Sequence, residues 1–232
     1  MSFFFTAEDG GSYYSITKAG IAVFIAISVL LLIITGLVRS KGSGKEKKTS
    51  IDSRKLAFTA VSVALAFVLS FVRVFRLPWG GSVTLCSMLF VVLVGYWYGL
   101  KVGLIAGFVY GCLQFIQGGG SYVLDPLQAG LDYFFAFTAL GLSGCFCKMK
   151  KHALTVGYIV AVLARGALHS LGGYLYWMDY MPDNFPPKLA AAYPVLYNYA
   201  YILAEAAITL IVINFPLVKD ALNRITQMAK KE

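Results

Sequence analysis

One carboxylate placed in an apolar segment is the feature of this sequence that points most directly to chemistry. Asp132 lies in the stretch GGGSYVLDPLQAGLDYFFAF, which runs from Gly118 to Phe137. An Asp followed by a Pro, as at residues 125 and 126, is typical of an N-cap and the first helical position, so we expect a helix from there to about Phe146. Asp132 would lie two turns inside it, where an ionised Asp costs roughly 2.5–3.5 kcal/mol in lipid. Such a group is expected either to serve a ligand or to form an ion pair between helices.

Further along the chain, unusual polar and aromatic side chains recur every four residues, which places each set on one face of a helix. The first set is Arg165, His169, Gly173 and Trp177, and the second is Tyr197, Tyr201 and Glu205. Counting from the ends of the two apolar segments, His169 and Tyr197 lie near the depth of Asp132. Arg165 and Glu205 lie deeper, at matching heights, so we predict a structural ion pair between them within the membrane. The shallower residues are expected to surround a pocket.

The predicted pocket combines an anion, an imidazole, aromatic rings and glycines that leave room. Besides Asp132 and His169, it would contain Tyr122, Tyr133, Tyr174, Trp177, Tyr197, Gly172 and Gly173. A carboxylate supplies the counter-charge for a cation, and each ring face adds about 0.5–2 kcal/mol through cation–π contact. The combination predicts a site for a small, flat, cationic aromatic ligand.

The composition indicates that these residues lie in a membrane protein. Hydrophobic residues make up 59% of the chain and charged residues 13%, and the mean hydropathy is +0.72, which is too apolar for one soluble core. The formal net charge is +9, but the Lys and Arg residues lie in short segments between apolar runs rather than on one amphipathic face. We therefore attribute the charge to membrane topology and do not expect a nucleic-acid partner.

The sequence shows no motif for an enzyme or a resident cofactor. No cysteine pair has zinc-ligand spacing with histidines nearby, and no nucleophile or cofactor motif is visible. The GSGK at residues 42–45 is not a P-loop, because Arg39 stands where that pattern needs Gly and Glu46 where it needs Ser or Thr. Any ATP chemistry is expected to belong to another chain.

Hydrophobic runs divide the chain into three parts. Residues 1–38 contain a retained apolar helix at about 16–38, which lacks the basic start and cleavage site of a secretory signal. Residues 39–54 form a basic linker, expected in the cytoplasm. Residues 55–232 form the membrane domain. Its six predicted spans are roughly 55–76, 84–100, 102–117, 126–147, 153–177 and 193–217.

Basic residues predict the orientation of these seven spans. If residues 39–55 are cytoplasmic, 15 of the 20 Lys and Arg residues lie on that side, which satisfies the positive-inside rule. This predicts an N-terminus outside the cell and a cytoplasmic C-terminus.

Small residues indicate where helices approach one another. Gly103, Gly107 and Gly111 recur every four residues, and we interpret this line as packing inside the bundle. Ala60 and Ala64 have the same spacing on the first helix of the membrane domain. From the residues alone, that face either packs within the bundle or binds a partner protein.

Several stretches together resemble a known family. They are GGSVTL at 80–85, YGLKVGLIAGFVYG at 98–111, DPLQAGLDYFFAF at 125–137, RGALHSLGGYLYW at 165–177 and PVLYNYAY at 194–201. From about Ser53 onward, the chain is similar to the thiamine-specific substrate-binding (S) component of energy-coupling factor vitamin transporters. The resemblance implies an all-α membrane protein, a six-helix bundle of the S-component type, here preceded by one extra N-terminal transmembrane helix.

The resemblance also implies roles for individual residues. The vitamin pocket would be lined by Tyr122, Asp132, Tyr133, His169, Gly173, Trp177 and Tyr197. Ala60 and Ala64 would dock on the energy-coupling transmembrane subunit. The chain departs from the family where some members have glutamate in place of Asp132. A second departure is Ile202, which lies five residues after Tyr197, where an asparagine is usual. The third is the added N-terminal helix.

These observations lead to one functional hypothesis and its rivals. We expect a subunit that captures thiamine or a related small cationic vitamin from outside, with transport driven by a transmembrane coupling subunit and two ATPase subunits. The same fold could serve a related vitamin or a thiamine precursor. The rival from another class is an ion-coupled secondary transporter with Asp132, His169 and Glu205 as a relay, but the sequence shows no internal repeat of the kind typical of such transporters.

Overall fold

The structure is a computed structural model that describes residues 3–8, 12–37, 52–79 and 81–230. The helices are α1 (Lys18–Leu37), α2 (Ser53–Ser70), α3 (Ser87–Tyr98), α4 (Leu100–Gln117), α5 (Pro126–Phe146), α6 (Ala153–Tyr176), α7 (Tyr193–Asn214) and α8 (Pro216–Lys230). The strands are β1 (Phe5–Glu8), β2 (Tyr13–Ile16), β3 (Arg73–Arg76) and β4 (Ser82–Thr84), paired as two antiparallel hairpins.

The helices confirm the predicted fold class. Within the described ranges, six segments are long and apolar enough to cross a membrane: α1, α2, α4, α5, α6, and α7 together with the turn that precedes it. Helices α2 to α7 form the six-helix bundle, and α1 packs on its outside against α4 and α2. Most of the predicted linker, residues 39–51, lies outside the described residues. Asp52, the first residue described after them, is the N-cap of α2, because its carboxylate accepts a hydrogen bond from the Lys55 N–H at 3.0 Å.

Helix α3 is shorter than the predicted span over residues 84–100. It has 12 residues, or about 18 Å of helix, and ends at Tyr98. It begins only at Ser87, because residues 82–84 form β4. Nine of its residues are buried, among them Met88, Val91 and Val94. A helix enclosed by others is apolar on every side, and hydropathy cannot distinguish it from a membrane span.

The ends of the helices define two ends of the bundle. Both β-hairpins, the turn at Gly119–Ser121 and the start of α7 lie at one end, which we call the hairpin end. The opposite end carries the start of α2, Lys101, the lysines at 148–151 and helix α8. Most of the Lys and Arg residues in the described ranges therefore lie at the end opposite the hairpins, whereas Arg73 and Arg76 belong to β3.

The glycine line on α4 packs inside the bundle, as predicted. A Cβ added at Gly103 would meet the backbone of Gly141, one at Gly107 would meet the Phe137 carbonyl, and one at Gly111 would meet the Tyr133 carbonyl. All three contacts are on α5. Because backbone atoms cannot turn aside as side chains do, these glycines set the distance between α4 and α5, the helix that carries Asp132.

Helix α8 was not predicted, since the sequence there resembles a polar tail. It is amphipathic and lies against the end of the bundle through Leu222, Ile225 and Ala229. The Trp97 indole N–H donates to Thr226 Oγ1 at 3.0 Å, and the Lys230 ammonium lies 4.2 Å from the centre of the Tyr96 ring. Hydropathy alone did not identify this helix, because only a narrow face of it is apolar and the average over its residues is low.

Candidate functional site

A cavity of about 450 Å³ opens between α5, α6 and α7 at the hairpin end. Its walls are Trp79, Asp132, Tyr133, Phe137, Arg165, His169, Gly173, Trp177, Tyr180, Tyr193, Pro194, Tyr197, Asn198 and Tyr201. The size suits a ligand of one or two small rings. Aromatic side chains make up most of the wall, and one carboxylate supplies its negative charge.

Asp132 is held in an irregular part of α5. The helix begins at Pro126 with an Asp125 cap, turns π-helical over Gly130–Phe135, and ends in tighter 3₁₀ turns over Ala139–Phe146. A single continuous α-helix had been predicted. A π-helical turn shifts the side chains that follow it, and such turns are frequent at functional sites.

Two donors orient the Asp132 carboxylate. Its Oδ2 accepts hydrogen bonds from Gln128 Nε2 at 2.7 Å and from the Trp177 indole N–H at 2.8 Å. A Cβ added at Gly172 would lie 2.6 Å from Oδ1, so only glycine lets α6 approach the carboxylate this closely. Among the described residues, no Lys or Arg nitrogen lies within 4.0 Å of Asp132. The carboxylate is therefore fixed in position, and its charge has no Lys or Arg partner in the part of the chain that the structure describes.

His169 lies between Asp132 and Arg165. Its Nδ1 is 4.0 Å from Asp132 Oδ1, and its Nε2 accepts a hydrogen bond from Arg165 Nε at 3.3 Å. Because a guanidinium can only donate, the ring nitrogen facing it must carry a lone pair, and the proton of the neutral ring is then on Nδ1. At 4.0 Å this N–H is too far for a direct hydrogen bond to Asp132. It is thus available to a ligand in the cavity.

Arg165 and Glu205 do not form the predicted ion pair. The Glu205 carboxylate accepts four hydrogen bonds at the start of α3: from Thr84 N at 3.2 Å and Oγ1 at 2.5 Å, from Ser87 Oγ at 3.1 Å, and from Met88 N at 3.2 Å. Arg165 instead lies over the Phe137 ring, with its guanidinium carbon 4.4 Å from the ring centre. The matching depths of Arg165 and Glu205 therefore did not predict a contact between them, because the donors at the N-terminus of α3 bind the Glu205 carboxylate instead.

Most of the predicted pocket residues meet in the cavity. Asp132, Tyr133, His169, Gly173, Trp177 and Tyr197 all line it. Tyr122 does not; it lies one layer behind, with its ring 6.3 Å from that of Trp177 and its hydroxyl 2.9 Å from the Tyr180 hydroxyl. Tyr174 is exposed, and its hydroxyl donates to the Ala191 carbonyl at 2.8 Å.

Sequence reasoning missed Asn198, which lines the cavity from the second turn of the apolar helix α7. Its Nδ2 donates to the carbonyls of Pro194 at 2.8 Å and His169 at 3.2 Å, and its Oδ1 accepts from the Tyr201 hydroxyl at 2.9 Å. Ile202, predicted to replace a pocket asparagine, has no exposed surface and belongs to the core. A polar amide inside a spanning helix was the signal that could have identified this residue.

A tyrosine followed five residues later by asparagine does occur here, at Tyr193 and Asn198, and both line the cavity. The Tyr193 ring stacks on that of Tyr197, with the centres 5.5 Å apart, and packs edge-on against Phe185 at 4.9 Å. Phe185 in turn contacts Trp79 at 5.0 Å. Of these rings, Trp79, Tyr193 and Tyr197 line the cavity. Trp177 and Tyr180, with their ring centres 5.3 Å apart, line it as well.

The described residues contain no group of three or more His, Cys, Asp or Glu side chains placed to hold a metal ion. A second cavity of about 320 Å³ adjoins the first and shares the side chains of Tyr133, Phe137, Arg165, Tyr197 and Tyr201. The aromatic wall of the first cavity and its partly buried Asp132 carboxylate together suit a small organic cation.

Comparison with known proteins agrees with this chemistry. Residues 56–224 match the family model described as "Thiamine transporter protein (Thia_YuaJ)". The chain is 31% identical over 173 residues to the thiamine transporter ThiT of Bacillus subtilis, covering 68% of this chain and 88% of that protein. It is 32% identical over 130 residues to ThiT of Lacticaseibacillus paracasei, covering 50% of this chain and 63% of that protein.

A solved structure supports the fold. ThiT from Listeria monocytogenes superposes with a TM-score of 0.60 at 23% identity, covering 75% of this chain and 96% of that one. The extra helix α1 and the hairpin before it fall outside the residues matched by the family model. Since that model matches well over half of the sequence, the chain belongs to the thiamine transporter protein family.

Proposed function

We propose that this protein is a membrane-embedded subunit that captures thiamine in the cavity between α5, α6 and α7. The observation that carries the proposal is Asp132, a carboxylate of low exposure, 13% for its side chain, which faces the cavity without a cationic partner among the described residues. An isolated charge in such a place is costly unless a ligand neutralises it. Thiamine carries a permanent positive charge on its thiazolium ring.

Thiamine also matches the rest of the wall. Its two linked aromatic rings are flat, which suits a wall rich in aromatic rings: Tyr193 and Tyr197 are stacked, and Trp177 and Tyr180 meet edge-on. The aminopyrimidine ring offers both donors and acceptors, and the cavity presents the His169 imidazole and the Asn198 amide. A neutral apolar ligand would offer no acceptor to the His169 Nδ1–H, whereas the Asn198 amide is already hydrogen-bonded to Pro194, His169 and Tyr201.

The direct test is titration of the purified protein with thiamine in the absence of ATP. Trp177 and Trp79 line the cavity, so thiamine should change tryptophan fluorescence in a saturable way. The neutral aminopyrimidine fragment, which lacks the thiazolium ring, should bind far more weakly. Equal affinity for both compounds would remove the charge-based assignment.

Uptake is expected to require partners, a coupling transmembrane subunit and two ATPase subunits, and we propose that Ala60 and Ala64 form the docking surface. Ala64 is exposed and Ala60 half-buried, whereas Thr59 and Val63 on the other side of α2 are buried. Neighbouring Val61 is 58% exposed. Small side chains on an exposed helix face allow a second helix to approach closely in lipid.

Replacing both Ala60 and Ala64 with leucine should abolish thiamine uptake by cells while leaving thiamine binding by the isolated subunit unchanged. The added side chains would separate the two helix backbones without touching the cavity. Ala167→Leu, at an exposed alanine on α6, is the matched control and should preserve uptake. Loss of binding in the double variant would show that the face belongs to the bundle instead.

We further propose that the hairpin end faces outside the cell, with a cytoplasmic C-terminus. The positive-inside rule supports this orientation, because most of the Lys and Arg residues in the described ranges lie at the opposite end. A relay of Asp132, His169 and Glu205, as in an ion-coupled transporter, is less compatible with the contacts, because the Glu205 carboxylate is taken by donors from Thr84, Ser87 and Met88.

A further inference from the structure

The N-terminal hairpin, formed by β1 and β2, is bound to the loop that leads into α5. Tyr14 N donates to the Val123 carbonyl at 2.7 Å, and Val123 N donates to the Tyr14 carbonyl at 2.9 Å. A Cβ added at Gly120 would lie 2.5 Å from Ile16 Cγ2, so the hairpin lies directly on this loop. The hairpin is thus joined to the bundle at two points of one connecting loop, residues 119–123.

Helix α1 anchors the same segment on the bundle. The Phe24 ring stacks on Phe134 of α5, with the centres 5.6 Å apart, and contacts Phe115 of α4 at 5.3 Å. The Thr17 hydroxyl, at the start of α1, donates to the Phe3 carbonyl at 2.7 Å. Since residues 56–224 carry the family match, this whole assembly is an addition to the family's bundle.

A path of side-chain contacts leads from the hairpin to the cavity wall. The Tyr13 ring packs on the Tyr122 ring, with the centres 4.5 Å apart. Tyr122 lies 6.3 Å from the Trp177 ring, and its hydroxyl is hydrogen-bonded to that of Tyr180 at 2.9 Å. Trp177 and Tyr180 both line the cavity, and the Trp177 indole N–H holds Asp132 at 2.8 Å. Tyr122 is therefore packed between the hairpin on one side and the cavity wall on the other.

We propose that Tyr13 is a positioning residue for ligand binding: through Tyr122 it holds Trp177 and Tyr180 in the orientation that encloses the ligand. The proposal rests on the proposed function, because the ligand it concerns is thiamine. A wall held in place before binding loses less conformational freedom when the ligand arrives, which strengthens binding mainly by slowing dissociation. The N-terminal addition would then contribute to affinity from outside the family's own bundle.

Stopped-flow fluorescence with thiamine tests this on three variants of the full chain. Tyr13→Ala should raise the dissociation rate about 2- to 12-fold, the factor that one aromatic pair supplies, with little change in the association rate. Tyr14→Ala is the matched control, since the Tyr14 side chain is 41% exposed and its contact with the loop uses only backbone atoms. Tyr13→Phe keeps the ring and should restore the wild-type rate.

A second measurement, without ligand, separates failure of this proposal from failure of the proposed function. In a protein with Trp79→Phe and Trp97→Phe, acrylamide quenching reports Trp177 alone. Tyr13→Ala should increase the quenching, and Tyr14→Ala should not. If wild type does not bind thiamine, the proposed function falls, while quenching still decides the role of Tyr13. Equal quenching in both variants, or equal dissociation rates in both, would overturn the positioning role.

Discussion

Asp132→Asn should weaken thiamine binding by about 2–5 kcal/mol, the cost typical of losing one partner of a buried charge pair. That corresponds to a loss of affinity of roughly 30-fold to several thousand-fold. The amide keeps the shape of the side chain and an oxygen that can accept from Gln128 or Trp177, so the cavity should keep its form. What disappears is the negative charge that faces the thiazolium ring. Isothermal titration calorimetry on both proteins measures the difference.

The ligand-free protein should respond in the opposite way. Removing a buried charge that has no cationic partner among the described residues relieves a desolvation cost, so the melting temperature of Asp132→Asn should equal or exceed that of wild type. Asp125→Asn is the matched control, because Asn caps a helix as well as Asp and residue 125 does not line the cavity. A large loss of stability with unchanged affinity would instead identify Asp132 as a structural acid.

Glu205→Ala should be the most destabilising of the single changes considered, with thiamine contacts untouched. It leaves the N–H groups of Thr84 and Met88 without their acceptor, at about 1–3 kcal/mol for each buried donor, or roughly 2–6 kcal/mol together. The N-cap of α3, Cys86, offers no side-chain cap, so Glu205 of α7 takes that role from across the bundle. Glu205→Gln keeps one oxygen acceptor and should lose less. Thermal unfolding in detergent ranks the three proteins.

The role of Glu205 as a cap can be separated from an ion pair with Arg165 by a double-mutant cycle. If the acid serves α3, the effects of Glu205→Gln and Arg165→Met on the free energy of unfolding should be close to additive. A coupling energy of about 3 kcal/mol or more between the two substitutions would instead support the ion pair that their matching depths predicted.

The fold was largely predictable because lipid imposes a simple requirement on spanning helices. Long apolar runs with charged ends identified α1, α2, α4, α5, α6 and α7, and the glycine spacing on α4 correctly indicated internal packing. The bounds of α3 were predicted wrongly, and α8 was not predicted. Both helices are stabilised by packing against other helices, which the local sequence does not show. The strands at 73–76 and 82–84 are held by pairing with each other, which no local pattern reveals.

The site was predictable to the extent that helical spacing places side chains on one face. This spacing places His169, Gly173 and Trp177 on one face of α6, and matching depth with the family resemblance added Asp132 and Tyr197 to the same pocket. Lateral partners were not, because spacing along one helix says nothing about which neighbour its face meets. Arg165 therefore lies over Phe137 of α5 rather than beside Glu205 of α7. Its contact with His169 is within α6, as their four-residue spacing indicates. The π-helical turn at Gly130–Phe135 changes the register of α5, and no pattern in its apolar sequence predicts this turn.

The measurement that tests the central claim most directly is native mass spectrometry of the protein purified from cells grown with thiamine. The account predicts a one-to-one complex with a ligand of thiamine's mass, retained by Asp125→Asn and lost from Asp132→Asn. A different compound in place of thiamine, or bare wild-type protein even after excess thiamine is added before desalting, would contradict it.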